Sequence, residues 1–132
     1  MNNHEGSCLC GAVAFEIQGD FNSFYLCHCK HCQKDTGAAF AANLFSQSAT
    51  LTWLSGVNEV TTFVLKNTRH HKSFCKICGS ALPSAQPNNM LAVPAGCLDT
   101  KHPMKPTAHI FCASKAAWEE CLETITEFER LP

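Results

Sequence analysis

Cysteine is the residue type in this chain with the most chemistry to offer, and ten of the 132 residues are cysteines. Seven of them fall in three tight groups. Cys8-Leu9-Cys10 comes first, then Cys27-His28-Cys29-Lys30-His31-Cys32, then Cys75-Lys76-Ile77-Cys78-Gly79, while Cys97, Cys112 and Cys121 stand apart. Thiolates at such spacings suit zinc, which takes four ligands in a tetrahedron at about 2.3 Å and so holds its sulfurs roughly 3.8 Å from one another. Side chains two apart on a flat strand stand too far from each other for this, so each Cys-x-Cys belongs on a turn or a bent strand end. Gly11 and Gly79, each directly after a cysteine, let the backbone fold back so that amides point at sulfur. A disulfide framework is the competing reading. The segment Met1–Gly6 shows neither a basic nor an apolar leader, which sets the expectation of a cytoplasmic protein, where disulfides rarely persist.

The Cys75-x-x-Cys78-Gly79 knuckle is half of a four-thiolate site. Completing it with Cys8 and Cys10 leaves Cys27, Cys29 and Cys32 as a set of three. The other pairing joins the knuckle to two of the middle cysteines and strands the rest; count favours the first without closing the second. A four-thiolate site is coordinatively closed and structural. Three thiolates from one short segment leave a fourth position for an exchangeable ligand, the pattern of catalytic zinc. Such an anionic site is a poor Lewis acid for making hydroxide and is better suited to a soft sulfur ligand, which points to a small thiol. Closure by Cys97, Cys112 or a histidine would instead make a second inert knot.

The elements that must carry these groups read as mainly β. Runs rich in β-branched and aromatic residues occur at residues 12–17, 23–26, 39–45, 50–53, 59–65, 71–74, 91–93 and 108–111, with turn residues between them. Eight short strands at this spacing predict a β-sandwich-like domain over residues 1–132. Lys30 to Asp35 is expected to make one helical turn after the metal cysteines. A second short helix is expected over Lys115 to Leu122, N-capped by Ser114, with Trp118 as its buried anchor and Cys121 a small buried hydrophobe. Pro83 to Asn89 reads as a hairpin loop, and Pro103 and Pro106 punctuate another. His70 and His71 read as the exposed and buried faces of a strand, and His28 and His31 as groups behind the ligands or exposed. Ten Lys and Arg against eleven Asp and Glu leave no basic surplus for phosphate binding, so no nucleic-acid partner is expected. The most apolar stretch, Ala38 to Phe45, is far too short to span a membrane.

In order along the chain, Gly6-Ser7-Cys8-x-Cys10-Gly11, Cys27-His28-Cys29-x-x-Cys32-Gln33 and Phe74-Cys75-x-x-Cys78-Gly79-Ser80 resemble the glutathione-dependent formaldehyde-activating enzyme (Gfa)-like family, whose domain also occurs in centromere protein V. Thr36-Gly37, Val93-Pro94-Ala95-Gly96, Leu98-Asp99, Pro106-Thr107-Ala108-His109-Ile110 and Ser114-Lys115-x-x-Trp118 continue the likeness over nearly the whole chain. The resemblance implies the Mss4-like zinc-containing β fold with one or two short helices. It implies a structural zinc on Cys8, Cys10, Cys75 and Cys78, and a second, more labile zinc on Cys27, Cys29 and Cys32. The activity implied is of carbon–sulfur lyase type, joining glutathione and formaldehyde as S-hydroxymethylglutathione. Gln33, Thr36 and Gly37 are then candidates to line the pocket, and His109 and Lys115 to meet a carboxylate or relay a proton. The alternative is a non-enzymatic zinc module for partner binding or thiol sensing. Whether the chain is a monomer or a homodimer is left open at this point.

Overall fold

The computed structural model describes residues 2–102 and 104–132; Met1 and Pro103 lie outside the described residues, and with Pro103 one half of the expected loop punctuation. Among the described residues, eleven strands form three sheets. In the first, β1 (Asn3–Ser7), β2 (Ala14–Gln18) and β5 (Thr50–Ser55) run antiparallel in the order β1-β2-β5. The second contains β3 (Ser23–Cys27), β4 (Ala41–Ser46), β9 (Ser84–Ala85), β10 (Leu91–Pro94) and β11 (Ala108–Ile110) in the order β11-β3-β4-β10-β9. The third is β6 (Val60–Val64), β7 (His71–Cys75) and β8 (Ala81–Leu82). The single α-helix among the described residues, α1 (Lys30–Thr36), follows β3. The fold is thus mainly β with one short helix, as expected.

Every one of the eight apolar runs becomes a strand, because alternation or β-branching suits a half-buried pleat. On β2 the alternation places Phe15 and Ile17 fully inside, and they pack with Val13, Phe24, Leu44, Leu82, Leu91 and Val93 as the core. Cys8 and Cys75 belong to the same buried cluster, so the four-cysteine group is rooted in the core rather than hung on the surface. Three strands are absent from the expectation, the two-residue β8 and β9 and the longer β1, Asn-His-Glu-Gly-Ser, which has no apolar alternation to read. Its register with β2 and the bridge from Gly6 to Leu98 make it a strand.

Three expectations are corrected. The helix over Lys115 to Leu122 does not form: the segment holds only isolated 3-10 turns at Cys112–Ser114, Ala117–Glu119 and Leu122–Thr124. Cys121 lies in the left-handed region with φ 54°, and Ala116 and Glu120 are extended, which breaks the helical path. Trp118 is 65% exposed and Cys121 is exposed, while the groups turned inward are Ala116 and Glu119. Glu119 anchors the segment through a buried polar contact, which a hydrophobic period does not reveal. The stretch Pro83 to Asn89 is also more than a loop, since Ser84 and Ala85 form β9 and pair with β10. Pro83 is buried just ahead of that pairing, where its missing N–H costs no ladder bond. His70 and His71 are both half-buried rather than split between core and solvent.

Candidate metal centres and the cleft between sheets

The four sulfurs of Cys8, Cys10, Cys75 and Cys78 come from two strand ends and the turns that follow them. Cys8 succeeds β1 and Cys75 ends β7. Gly11 (φ 81°) and Gly79 (φ 77°) take the left-handed conformation that turns the chain back, as their place after cysteine predicts. The sulfurs lie within 4.8 Å of one another, with Cys8 to Cys10 at 3.6 Å and Cys10 to Cys75 at 3.9 Å. These separations match the roughly 3.8 Å of a tetrahedral thiolate site.

Backbone and hydroxyl groups support this set. The Val13 amide donates to Cys8 Sγ at 3.2 Å. Ser80 Oγ accepts from the Leu9 amide at 2.8 Å and stands 3.3 Å from Cys78 Sγ, so one hydroxyl ties the two turns together. The Ser80 hydroxyl, helped by the amides of Ser80 and Cys10, pulls the Cys78 thiol down to about 5. Cys10 goes the other way: the Ala12 amide draws it down, but burial and the neighbouring cysteines push it up to about 11. Crowded acids that cannot all ionise together split in this manner. A cation at their centre removes the conflict, so the donor set fits a metal ion.

The second set, Cys27, Cys29 and Cys32, also lies within 4.8 Å. Cys27 ends β3, Cys29 caps α1 with its sulfur accepting from the Cys32 amide at 3.4 Å, and Cys32 sits in the first turn. Burial first, then Cys29 and Cys27, pushes the Cys32 thiol strongly upward. Burial also raises Cys27. At Cys29 burial pulls upward too, yet the Cys32 amide and the neighbouring thiols outweigh it and the net direction is down. Among the described residues neither Cys97, Cys112 nor any histidine joins the three, so this group is open where the other is closed.

The open side faces a cleft of about 560 Å³. The three cysteines, Thr36, Arg69, His71, Lys72, Ile110 and Phe111 are among the residues that line it. Asp35 is held by His70 Nε2 at 2.5 Å and by Lys72 at 3.3 Å, joining α1 to β7. Behind that junction lies a second hollow of about 310 Å³, walled by Phe63 and Leu65 and sharing His31, Asp35, His70 and Lys72 with the first. The basic run Arg69-His70-His71-Lys72 was visible in the sequence, but only the fold shows that it meets the cysteines across a cleft.

The remaining candidates occupy other places. Thr36 lines the cleft, and its hydroxyl donates to the Cys32 carbonyl at 2.7 Å. Gln33 Nε2 donates to the carbonyls of His28 (2.7 Å) and Ser114 (2.9 Å), joining the metal segment to the C-terminal segment. Gly37 ends α1 at φ 64° and Lys115 is exposed. His109 pairs with Leu26 on β11, and its Nδ1 lies 2.8 Å from Nε2 of His28. His28 is fully buried, and its Nδ1 meets Glu119 Oε2 at 2.8 Å. Since a carboxylate only accepts, the Nδ1–H of His28 donates to Glu119. His31, in contrast, is exposed.

Comparison with known proteins agrees with this architecture. The family model described as "Glutathione-dependent formaldehyde-activating enzyme" matches residues 3–114. A protein of Halomonas elongata, whose name provisionally makes it a glutathione-dependent formaldehyde-activating enzyme, is 29% identical over 125 residues, covering 88% of this chain and 79% of its own. The crystal structure of a Rhodobacter sphaeroides protein superposes with a TM-score of 0.58 at 21% identity, over 80% of this chain and 98% of that one, a likeness of fold.

Proposed function

The chain belongs to the glutathione-dependent formaldehyde-activating enzyme family, and on that premise we propose that it is a carbon–sulfur lyase-type enzyme that handles a small thiol adduct at Cys27, Cys29 and Cys32. The adduct is S-hydroxymethylglutathione or a close relative, and the metal at both cysteine sets is zinc. One observation carries the reading: three clustered thiols line a cleft large enough for a tripeptide, and the four-cysteine set is not part of that lining.

Zinc held by Cys27, Cys29 and Cys32 would offer a soft ligand position in which a substrate thiol is favoured as its thiolate. The chain's own groups do the rest. Arg69 and Lys72 place positive charge along the cleft, where the carboxylates of a glutathione-like substrate would lie. Thr36 and the Gln33 bridge hold the cysteine segment in shape by bonding its carbonyls. In the forward direction a sulfur–carbon bond forms between thiolate and carbonyl carbon, the C=O π pair moves to oxygen, and the thiol proton ends on that oxygen. The reverse reaction breaks the same bond and releases thiol and aldehyde. Such chemistry suits a reducing, cytoplasmic setting.

The test is zinc content per chain, before and after millimolar glutathione, joined to exchange spectroscopy of ¹³C-formaldehyde with glutathione. Two zincs, one of them perturbed by thiol, with exchange accelerated by the wild type and not by Cys29→Ser, is the expected result. Two zincs untouched by thiol, with no accelerated exchange, would leave the chain as a structural zinc module.

A further inference from the structure

The C-terminal segment carries a surface that the cleft chemistry does not use. Trp118, Leu122, Ile125, Phe128 and Leu131 are 65, 40, 63, 59 and 91% exposed. The last four recur every third residue, the period of 3-10 and polyproline geometry, and Ile125 has φ −80° and ψ 159°. In either geometry a three-residue period sets side chains along one stripe. With ~150–250 Å² for a large aromatic and somewhat less for an aliphatic side chain, the five present on the order of 600 Å² of apolar surface. A standard interface removes ~800 Å² from each partner, and free monomers rarely leave a patch of this size open.

The segment is also acidic. Residues 115–132 hold five glutamates against Lys115 and Arg130, a net of −3, while the preceding 114 residues carry a net of +2. One place on the body answers both properties. The smaller hollow has apolar walls in Phe63 and Leu65 and a rim of His31, Lys34, Asp35, His70 and Lys72; Asp35 pairs with His70 and Lys72, so the cations outside that pairing are Lys34 and, next to Leu65, Lys66. Phe63 and Val64 are 53 and 50% exposed. They lie on β6, the end strand of its sheet, whose outer edge is open to an added extended segment among the described strands.

We propose that this chain forms a two-fold dimer in which the apolar, acidic C-terminal segment of each copy seats on the Phe63–Leu65 hollow and β6 edge of the other. Reciprocal seating closes the assembly at two copies, since each presents one segment and one hollow. An apolar side chain of the stripe, Phe128 by size, fills the hollow, and Glu123 and Glu127 meet Lys34 and Lys66 at its edge. The seated segment then lies against the back of the wall formed by His31, Asp35, His70 and Lys72, which also bounds the cysteine cleft.

Sedimentation of the zinc-loaded full chain, from about one to a few hundred micromolar, tests this. The wild type is expected at twice the monomer mass. Phe128→Ser and Phe63→Ser, both at exposed positions, are each expected to raise the dissociation constant at least ~10-fold without loss of zinc or change in circular dichroism. A charge swap separates this contact from any other. Glu123→Lys with Glu127→Lys in one preparation, and Lys34→Glu with Lys66→Glu in another, should each weaken self-association, and an equal mixture should dimerise again. A monomeric wild type overturns the proposal, whatever else the segment binds. So does a dimer indifferent to Phe63→Ser, or a mixture that fails to recover.

Discussion

At the scale of single residues, the ten thiols differ more by surroundings than by kind. Cys97 packs against the core, and burial, with Asp99 adding to it, pushes its thiol up to about 12. It therefore stays protonated through neutral and mildly alkaline pH. Cys112 and Cys121 are exposed. Iodoacetamide at pH 8 on the zinc-loaded protein, followed by peptide mass spectrometry, should label Cys112 and Cys121 first and Cys97 at least ~10-fold more slowly. Rapid labelling at Cys97 would mean that its environment opens in solution. The metal sets were legible in the sequence because thiolate geometry constrains spacing so tightly: a Cys-x-Cys followed by glycine leaves few conformations. Gln33 and His109 were marked as residues of interest, but what they touch could not be read. Their partners, Ser114 and His28, lie 81 residues away, and no local pattern encodes a contact at that distance.

At the scale of elements, the C-terminal segment is attached by few bonds. Glu119 reaches buried His28, and Ser114 receives the Gln33 amide, while most of residues 111–132 stand in solvent. Replacing Glu119 by Gln keeps the shape and removes the charge-assisted acceptor. That change should cost about 1–3 kcal/mol, read as a lower unfolding midpoint, and should raise hydrogen exchange in β11 and the segment after it. Exchange confined to the segment, with no change in β11, would show the contact to be local. The sequence failed here for a physical reason. Ser114, two early glutamates and Trp118 have the form of a short amphipathic helix, but the buried partner for this stretch is a histidine, so the carboxylate turns inward and the indole outward. The eight core strands had no such competitor, because alternating apolar residues have one good solution in a half-buried sheet.

At the scale of the molecule, the two cysteine sets play unequal roles in stability. The first joins the end of β1 to the end of β7 across two sheets and shares buried surface with Phe15 and Leu82. The second joins residues only five apart in sequence. Cys75→Ser should therefore remove a metal equivalent and destabilise the whole fold, on the order of 5 kcal/mol or more. Cys29→Ser should remove the other equivalent with a much smaller shift in the melting temperature and abolish any thiol-dependent activity. Equal losses of stability from the two substitutions would show that the second set also holds the sheets together.

The unequal reach of the two sets also orders events in time. All ligands of the open set have been synthesised once residue 32 is in place, whereas the closed set must wait for Cys78 and the Glu119 anchor for the last turns of the chain. At ~5–20 residues per second the first interval lasts several seconds. During it a nascent chain already presents three thiols at ligand spacing with no sheet to shelter them. Metal delivery, or a reducing neighbourhood at the ribosome, is most consequential in that window, before the protein has any tertiary structure to protect.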